Sequence, residues 1–126
     1  MKQILIAISA FIILGSFTNR AGIDNVINAL KTGNATEVAK YFDNTIEITM
    51  PDKSNSFSKS QAELILKDFF SANTIKGFEI IHKGENGGSQ YCIGKLLTKT
   101  GTYRTTIFMK LRGNNQTLQE IRFEKQ

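Results

Sequence analysis

The apolar positions early in the chain follow the spacing of an amphipathic helix. One helical face is formed by Ile23, Val26, Ile27 and Leu30. Gly33 follows where a residue with a left-handed backbone commonly ends a helix. The pattern therefore predicts a first helix that ends at Gly33.

Two further helices are marked by capping signals. Asn34 stands three residues before Glu37, which favours a short second helix. The segment Ser60-Gln61-Ala62-Glu63 fits the S-x-x-E capping box and predicts the start of a third helix, which ends near Asn73. The apolar residues of this third helix are Leu64, Ile65, Leu66, Phe69 and Phe70.

Between the second and third helices the pattern changes to alternation. Every second residue from Thr45 to Met50 is apolar, and Pro51 closes this predicted strand. Phe57 lies in the polar stretch that follows, which we interpret as a short edge strand.

From Phe78 onward the chain has the pattern of four antiparallel strands. We predict a four-residue loop at 85–88, a three-residue loop at 99–101 and a turn at 113–115. The resulting cross-strand pairs are His82 with Tyr91, Ile80 with Ile93, Leu97 with Tyr103, Ile93 with Ile107, Ile121 with Ile107, and Phe123 with Thr105. Together they predict an inner face of Phe78, Ile80, His82, Tyr91, Ile93, Leu97, Tyr103, Ile107, Met109, Leu111, Ile121 and Phe123.

The predicted element order is α-α-β-β-α-β-β-β-β, and the fold class is α+β. We expect the helices to cover one face of a curved, mostly antiparallel sheet within a single domain of residues 22–126.

The first residues have the composition of an export signal. Lys2 precedes an apolar run from Ile4 to Leu14, too short for a span of about 20 residues. We interpret residues 1–21 as a signal peptide, with an uncertain cleavage point. The sole cysteine, Cys92, is far from that run, so no lipid-anchoring thiol and no internal disulfide are expected. These features predict a bacterial periplasmic or secreted protein that is not lipid-anchored and has no membrane contact after signal removal.

The formal net charge of +5 is unevenly distributed. Residues 76–126 contain nine basic and four acidic side chains. We interpret this excess as the solvated face of the sheet, with an anionic partner as the alternative. No base-stacking aromatics alternate with the basic residues, so nucleic acid is not an expected partner. One histidine and one cysteine make no metal cluster, and no cofactor motif is present.

Polar residues on the predicted inner face are the candidate site. Lys95 falls between Ile93 and Leu97, where an unpaired ammonium would be costly unless it reached the cavity mouth or met an anion. With Tyr103 and Thr105 it would line the mouth of a pocket for a small anionic or hydroxylated ligand. His82 and Tyr91 would lie in the same cavity, as ligand contacts or as a weak proton-transfer pair that lacks an acidic partner.

The predicted outer face has its own apolar row, formed by Ile81, Cys92, Leu96 and Phe108. Such a row is either the seam of a homodimer or a set of scattered surface side chains.

The chain also resembles a known family. The resemblance rests on five segments: Ser58-Lys59-Ser60-Gln61-Ala62-Glu63, Lys67-Asp68-Phe69-Phe70, His82-Lys83-Gly84, Tyr91-Cys92-Ile93-Gly94 and Tyr103-Arg104. These are similar to the exported bacterial proteins of domain of unknown function family 4783, which have a nuclear-transport-factor-2-like cone fold of the cystatin-like type. The resemblance implies a fold and an export route but no activity and no catalytic residues.

These observations favour a non-enzymatic exported domain that binds a small ligand or a protein partner through the helix-covered cavity or the outer sheet face. Two alternatives stay open. One is an enzyme that acts from the same cavity with His82 and Tyr91. The other is a purely structural dimerising module.

Overall fold

The structure, a computed structural model, describes residues 21–126. In this range three helices lie against a curved six-stranded sheet. The elements are α1 (Ala21–Thr32), α2 (Ala35–Ala39), β1 (Phe42–Met50), β2 (Lys53–Ser58), α3 (Lys59–Asn73), β3 (Ile75–Asn86), β4 (Ser89–Thr98), β5 (Gly101–Arg112) and β6 (Asn115–Lys125). The predicted order and the α+β class are confirmed. The predicted signal peptide lies outside the described residues, except for Ala21, which begins α1.

The strand order in the sheet is β2-β1-β6-β5-β4-β3. Strands β3 to β6 form the predicted antiparallel meander, and β1 and β2 form a hairpin. The hairpin joins the meander through a parallel pairing of β1 with β6. The first and last strands of the fold therefore lie side by side within the sheet.

Local capping chemistry explains where the shorter helices begin. The Asn34 side chain accepts a hydrogen bond from the Glu37 N–H at 3.1 Å, which confirms the predicted start of α2. The capping box of α3 was predicted two residues too late. It is formed by Ser58 and Gln61, each of which binds the backbone N–H of the other. Gln61 serves as well as glutamate in this motif, so the helix begins as soon as β2 ends.

The register of β4 was predicted wrongly, because two loops are shorter than expected. Asn86 pairs with Ser89 and Thr98 pairs with Gly101, so each hairpin has a two-residue loop. A slip of one residue exchanges the two faces of a strand. Contrary to prediction, the outer face contains Tyr91, Ile93, Lys95 and Leu97, and the helix-covered face contains Cys92 and Leu96.

The last hairpin forms the predicted pairs, although its turn is one residue shorter than the predicted 113–115, because Arg112 pairs with Asn115. Ile107 pairs with Ile121, and Thr105 pairs with Phe123. A β-bulge between Phe108 and Met109 then turns Leu118 into the core, where it is fully buried.

A second bulge changes the end of β3. Ile80 pairs with Gly94 and His82 pairs with Ile93, so the predicted pairs Ile80–Ile93 and His82–Tyr91 are not formed in register. Ile80 is 47% exposed rather than part of the core, and Leu111 at the far end of β5 is also exposed.

The core is centred on aromatic rings brought together by α3. The Phe69 ring lies 4.6 Å from the Phe123 ring and 5.3 Å from the Tyr103 ring, centroid to centroid. Phe70 packs edge-on against Phe123 at 6.4 Å. These contacts fill the deep part of the cone, because each large ring removes apolar area from water and leaves little space around it.

An ion pair fixes the beginning of β1 to the end of β5. The Asp43 carboxylate accepts hydrogen bonds from the Arg112 guanidinium (2.7 and 2.8 Å), the Gln119 amide (2.8 Å) and the Asn44 N–H (2.7 Å). Its side chain is only 12% exposed. These donors, Arg112 first, hold the pKa of Asp43 at about 2, below its ordinary value.

This pKa predicts a pH-dependent contribution of Asp43 to stability. The contribution should be complete above the unfolded pKa of about 4 and should disappear as the pH falls towards about 2, because the unfolded carboxyl binds its proton first. The free energy of unfolding of Asp43→Asn should therefore lie below that of wild type at neutral pH and converge with it in acid. Urea unfolding across this range measures the difference, with the exposed Asp52→Asn as control. A constant difference at all pH values would contradict the assignment.

Thr74 is the one non-glycine residue with positive φ in residues 21–126, at φ 49° and ψ 97°. It ends α3, where its N–H donates to the Phe70 carbonyl at 3.0 Å. A β-branched residue is strained there. We expect Thr74→Gly to raise the free energy of unfolding by about 1 kcal/mol, as measured by urea denaturation. Thr45→Gly, within strand β1, should lower it, and a loss of stability in both variants would show that Thr74 is not strained.

Candidate functional site

A pocket opens between α3 and the β1–β2 hairpin, at the mouth of the cone. Its volume is about 420 Å³. The apolar lining consists of Ile48, Met50, Phe57, Ile65, Phe69 and Ala72, and the polar lining consists of Lys53, Asn55, Asp68 and Asn73. We call this site the mouth pocket.

The alternation of β1 supplies one wall of the mouth pocket. Ile48 and Met50 share one face of β1, as the alternation predicts, and this face points to the helix-covered side. The register pairs Ile48 with Asn55 and Met50 with Lys53, so the outer part of β2 presents polar residues to the pocket. Phe57, which pairs with Ile46, is the apolar residue that β2 contributes. This wall is therefore apolar at its base and polar towards solvent.

Helix α3 supplies the other wall. Ile65 and Phe69 are four residues apart, as are Asp68 and Ala72, so each pair lies on one side of the helix. Phe69 is 9% exposed and forms the base, whereas Ile65 is only partly buried. Ala72 is small enough to leave space at the opening.

Asn73 connects the mouth pocket to the rest of the fold. Its amide nitrogen donates to the Phe69 carbonyl at 2.8 Å. Its amide oxygen accepts hydrogen bonds from the Tyr103 hydroxyl at 3.2 Å and from the Thr100 hydroxyl. The Lys99 N–H also donates to the Asn73 carbonyl at 2.9 Å. The end of α3 is thus tied to the β4–β5 hairpin, and the amide oxygen of Asn73 is already occupied.

Two of the predicted ligand-binding residues lie on the inner face as expected. Tyr103 is 6% exposed and Thr105 is fully buried. Tyr103 reaches the mouth pocket only through Asn73, and the Thr105 hydroxyl donates to the Tyr103 carbonyl at 3.1 Å. The hydroxyls of both residues are therefore engaged within the protein.

The predicted contact between His82 and Tyr91 is formed, but on the outer face. The His82 Nε2 and the Tyr91 hydroxyl oxygen are 2.7 Å apart. Tyr91 lies over Gly84, where an added Cβ would come within 2.7 Å of its hydroxyl oxygen. Within residues 21–126, no carboxylate forms a hydrogen bond with His82. The pair is exposed on the sheet and lies outside the mouth pocket.

Lys95 does not lie at the cavity mouth, contrary to the prediction. It is on the outer face, between Glu79 of β3 and Arg104 of β5, and Arg104 pairs in turn with Glu124. Because this ammonium is not enclosed among apolar side chains, it needs no buried anion.

The predicted dimer face is divided between the two sides of the sheet. Cys92 and Leu96 are fully buried in the core, and burial raises the pKa of the Cys92 thiol to about 11. Phe108 is 36% exposed on the outer face, and Ile81 is 55% exposed at the bulge of β3.

In the described part of the chain no group of three or more His, Cys, Asp or Glu side chains could hold a metal ion. No helix within residues 21–126 is long and apolar enough to cross a bilayer.

Sequence reasoning missed the residues that line the mouth pocket. The alternation of β1 located Met50, and the helical spacing located Ile65 and Phe69. What it could not supply was the parallel pairing of β1 with β6, which places this hairpin beneath the end of α3.

The comparisons with known proteins agree with this geometry. The cone of helices on a curved sheet is shared with a solved NTF2-like protein of unknown function from Cytophaga hutchinsonii, which is 14% identical (TM-score 0.63, covering 86% of this chain and 90% of that chain). This likeness shows that the chain has an NTF2-like fold. The family model described as "Domain of unknown function (DUF4783)" matches residues 23–124, and the chain belongs to this family.

Two solved structures of DUF4783 family proteins are more similar to the chain. The one from Bacteroides ovatus is 30% identical, with a TM-score of 0.78 over 81% of this chain and 93% of that chain. The one from Bacteroides uniformis is 31% identical, with a TM-score of 0.79 over 82% of this chain and 95% of that chain. No curated protein is significantly similar to the chain.

The hydrogen bonds of Asn73 predict a stability effect. Asn73→Ala should lower the free energy of unfolding by about 1–3 kcal/mol, because it leaves the Tyr103 and Thr100 hydroxyls without their acceptor. Tyr103→Phe removes one donor only and should cost less. Urea unfolding measures both. Equal stability of Asn73→Ala and wild type would show that Asn73 does not hold α3 to the hairpin.

Proposed function

We propose that the protein is an exported, non-enzymatic binding domain that takes a small ligand in the mouth pocket. The ligand has an apolar body and an anionic or hydroxylated end. The observation that carries the proposal is the pocket itself, with an apolar base between α3 and β1 and polar groups at its opening. The export part of the proposal rests on the sequence of residues 1–21.

The dimensions of the mouth pocket suit a small molecule. A volume of about 420 Å³ lies within the range of about 300–1,000 Å³ that is usual for such sites. The base, formed by Ile48 and Phe69, would bury the apolar part of a ligand and supply most of the binding free energy.

The polar groups at the opening set the expected chemistry of the other end. Lys53 is exposed and would attract an anionic group, whereas Asn55 and Asp68 could bind hydroxyl groups. Lys53 thus takes the role that the sequence had given to Lys95. Asn73 contributes by fixing the shape of the pocket, since its amide is occupied within the protein.

The enzymatic alternative gains no support from the described residues. His82 and Tyr91 lie together on an open sheet face, where nothing excludes water from a reacting group. Acid–base catalysis needs a base held in a cleft by an orienting partner. Within residues 21–126, His82 lies in no cleft, and its hydrogen-bond partner is the Tyr91 hydroxyl rather than a carboxylate.

The proposal predicts that a small anionic probe binds in the mouth pocket. 1-Anilinonaphthalene-8-sulfonate should gain fluorescence on binding, and Ala72→Phe should weaken its affinity about tenfold or more by filling the opening. Leu64→Phe is the matched control, because Leu64 is 62% exposed on the same helix and does not line the pocket. This control should leave probe affinity unchanged.

A charge variant separates the two ends of the site. Lys53→Met should weaken binding of the sulfonate probe and spare binding of the neutral N-phenyl-1-naphthylamine. If Ala72→Phe and Lys53→Met both fold and bind the sulfonate probe as wild type does, the mouth pocket is not the ligand site.

A further inference from the structure

Strand β3 is one edge of the sheet, and its middle is exposed and apolar. Ile80 and Ile81 are 47% and 55% exposed, the highest values among the large hydrophobic residues of the strands. An edge strand of this kind presents unpaired backbone N–H and C=O groups to a further strand. Its exposed apolar side chains favour a partner that covers them.

A close contact explains why Ile80 is uncovered. Ile80 pairs with Gly94, and the space above Gly94 is taken by the Phe78 ring. A Cβ added at Gly94 would come within 2.4 Å of that ring. Ile80 therefore has no inner-face partner side chain on β4.

The bulge at Ile81 exchanges the two sides of β3. Before it, Phe78 points to the helices and Glu79 points outward, opposite Lys95. After it, Lys83 points to the helices, where its ammonium binds Asp24 of α1 at 2.7 Å, and His82 points outward to Tyr91. From Gly77 to Ile80 the outward residues are odd-numbered, and from His82 onward they are even-numbered. A further register shift between Ile75 and Gly77 leaves Lys76 without a pairing partner on β4, at the start of the exposed edge.

This exchange makes β3 self-complementary. If two copies pair antiparallel about a two-fold axis between Ile80 and Ile81, Glu79 meets His82 of the second copy, outward side against outward side. The same register brings Lys76 opposite Glu85 and Ile80 opposite Ile81 of the second copy. Opposite charges placed directly across two strands stabilise their pairing.

Neighbouring registers lose this match. A shift of one residue in one direction places Lys76 opposite Gly84, and a shift in the other direction places it opposite Asn86. Either shift also sets outward side chains against inward ones. The charges and the bulge therefore select one register.

We propose that two copies of this chain pair β3 to β3 in this antiparallel register and join their sheets into one continuous sheet. The partner that pairs with this edge is a second copy of the chain, because β3 itself contains both the basic residue, Lys76, and the acidic residue, Glu85, of the match. Interfaces of this isologous type close at two subunits.

The outer sheet face is a poorer surface for self-association. Its central row across four strands is Glu79, Lys95, Arg104 and Glu124. A symmetric face-to-face dimer centred on that row would place basic side chains of one copy against basic side chains of the other. Such contacts between like charges oppose association.

A charge-exchange experiment tests the proposal by sedimentation equilibrium. Wild type should self-associate to a dimer. Lys76→Glu or Glu85→Lys alone should weaken the dimer about tenfold or more, because each substitution creates two symmetry-related pairs of like charges between the copies. An equimolar mixture of the two variants should recover dimers, since each unlike pair is then complementary. Phe108→Ser on the outer face is the control and should leave the dimer unchanged. Both exchanged residues are exposed, and circular dichroism checks that the variants fold.

Three results would overturn the proposal. One is a wild-type protein that is monomeric at every concentration. Another is a mixture of the two charge variants that associates no better than either alone. The third is a dimer that Phe108→Ser dissociates and the charge variants do not. Because the mouth pocket lies near the opposite edge of the sheet, binding of the sulfonate probe tests the proposed function separately.

Discussion

The packing of α3 across the sheet is the interaction on which the rest of the structure depends. The Phe69 ring contacts rings of two different strands, Tyr103 of β5 and Phe123 of β6. Asn73, one turn further along the helix, holds the β4–β5 hairpin by its side chain and backbone. Helix α3 is therefore fixed to the sheet by its apolar face and by its last residue. Its fixed position sets the distance to the β1–β2 hairpin and so the size of the mouth pocket.

The consequence for function is that aromatic rings pack beneath α3, while a pocket opens at the mouth of the cone. The aromatic cluster fills the part of the cavity that the sequence had suggested for a ligand. The mouth pocket lies beside α3, over the β1–β2 hairpin, where Ala72 is small and the lining from β2 includes the polar residues Lys53 and Asn55. The structure thus moves the candidate site from the meander to the hairpin.

The sequence predicted the element order because periodicity and capping are local properties. Spacing over a few residues of sequence is enough to identify the apolar face of α1, the alternation of β1 and the helix-facing side of β5. The segments that resemble the DUF4783 family indicated an NTF2-like fold independently of the periodicity. The family model matches residues 23–124.

What failed was the prediction of loop length and bulges. The loop predicted after Thr98 was one residue longer than the actual loop, and this error exchanged the two faces of β4. As a result, Lys95 and Tyr91 were assigned to the cavity, and Cys92 and Leu96 to the surface. The bulges at Ile81 and after Phe108 have no comparable sequence signal. They depend on long-range packing, such as the Phe78 ring over Gly94.

The central claim is that the mouth pocket is the binding site of this domain. The most direct measurement is an NMR titration of the isotope-labelled protein with 1-anilinonaphthalene-8-sulfonate, which follows every backbone amide at once. The account predicts shifts concentrated in β2 and the last two turns of α3, around Phe57 and Phe69. Shifts concentrated around Tyr91 and Phe108 on the outer face, with β2 unchanged, would contradict it.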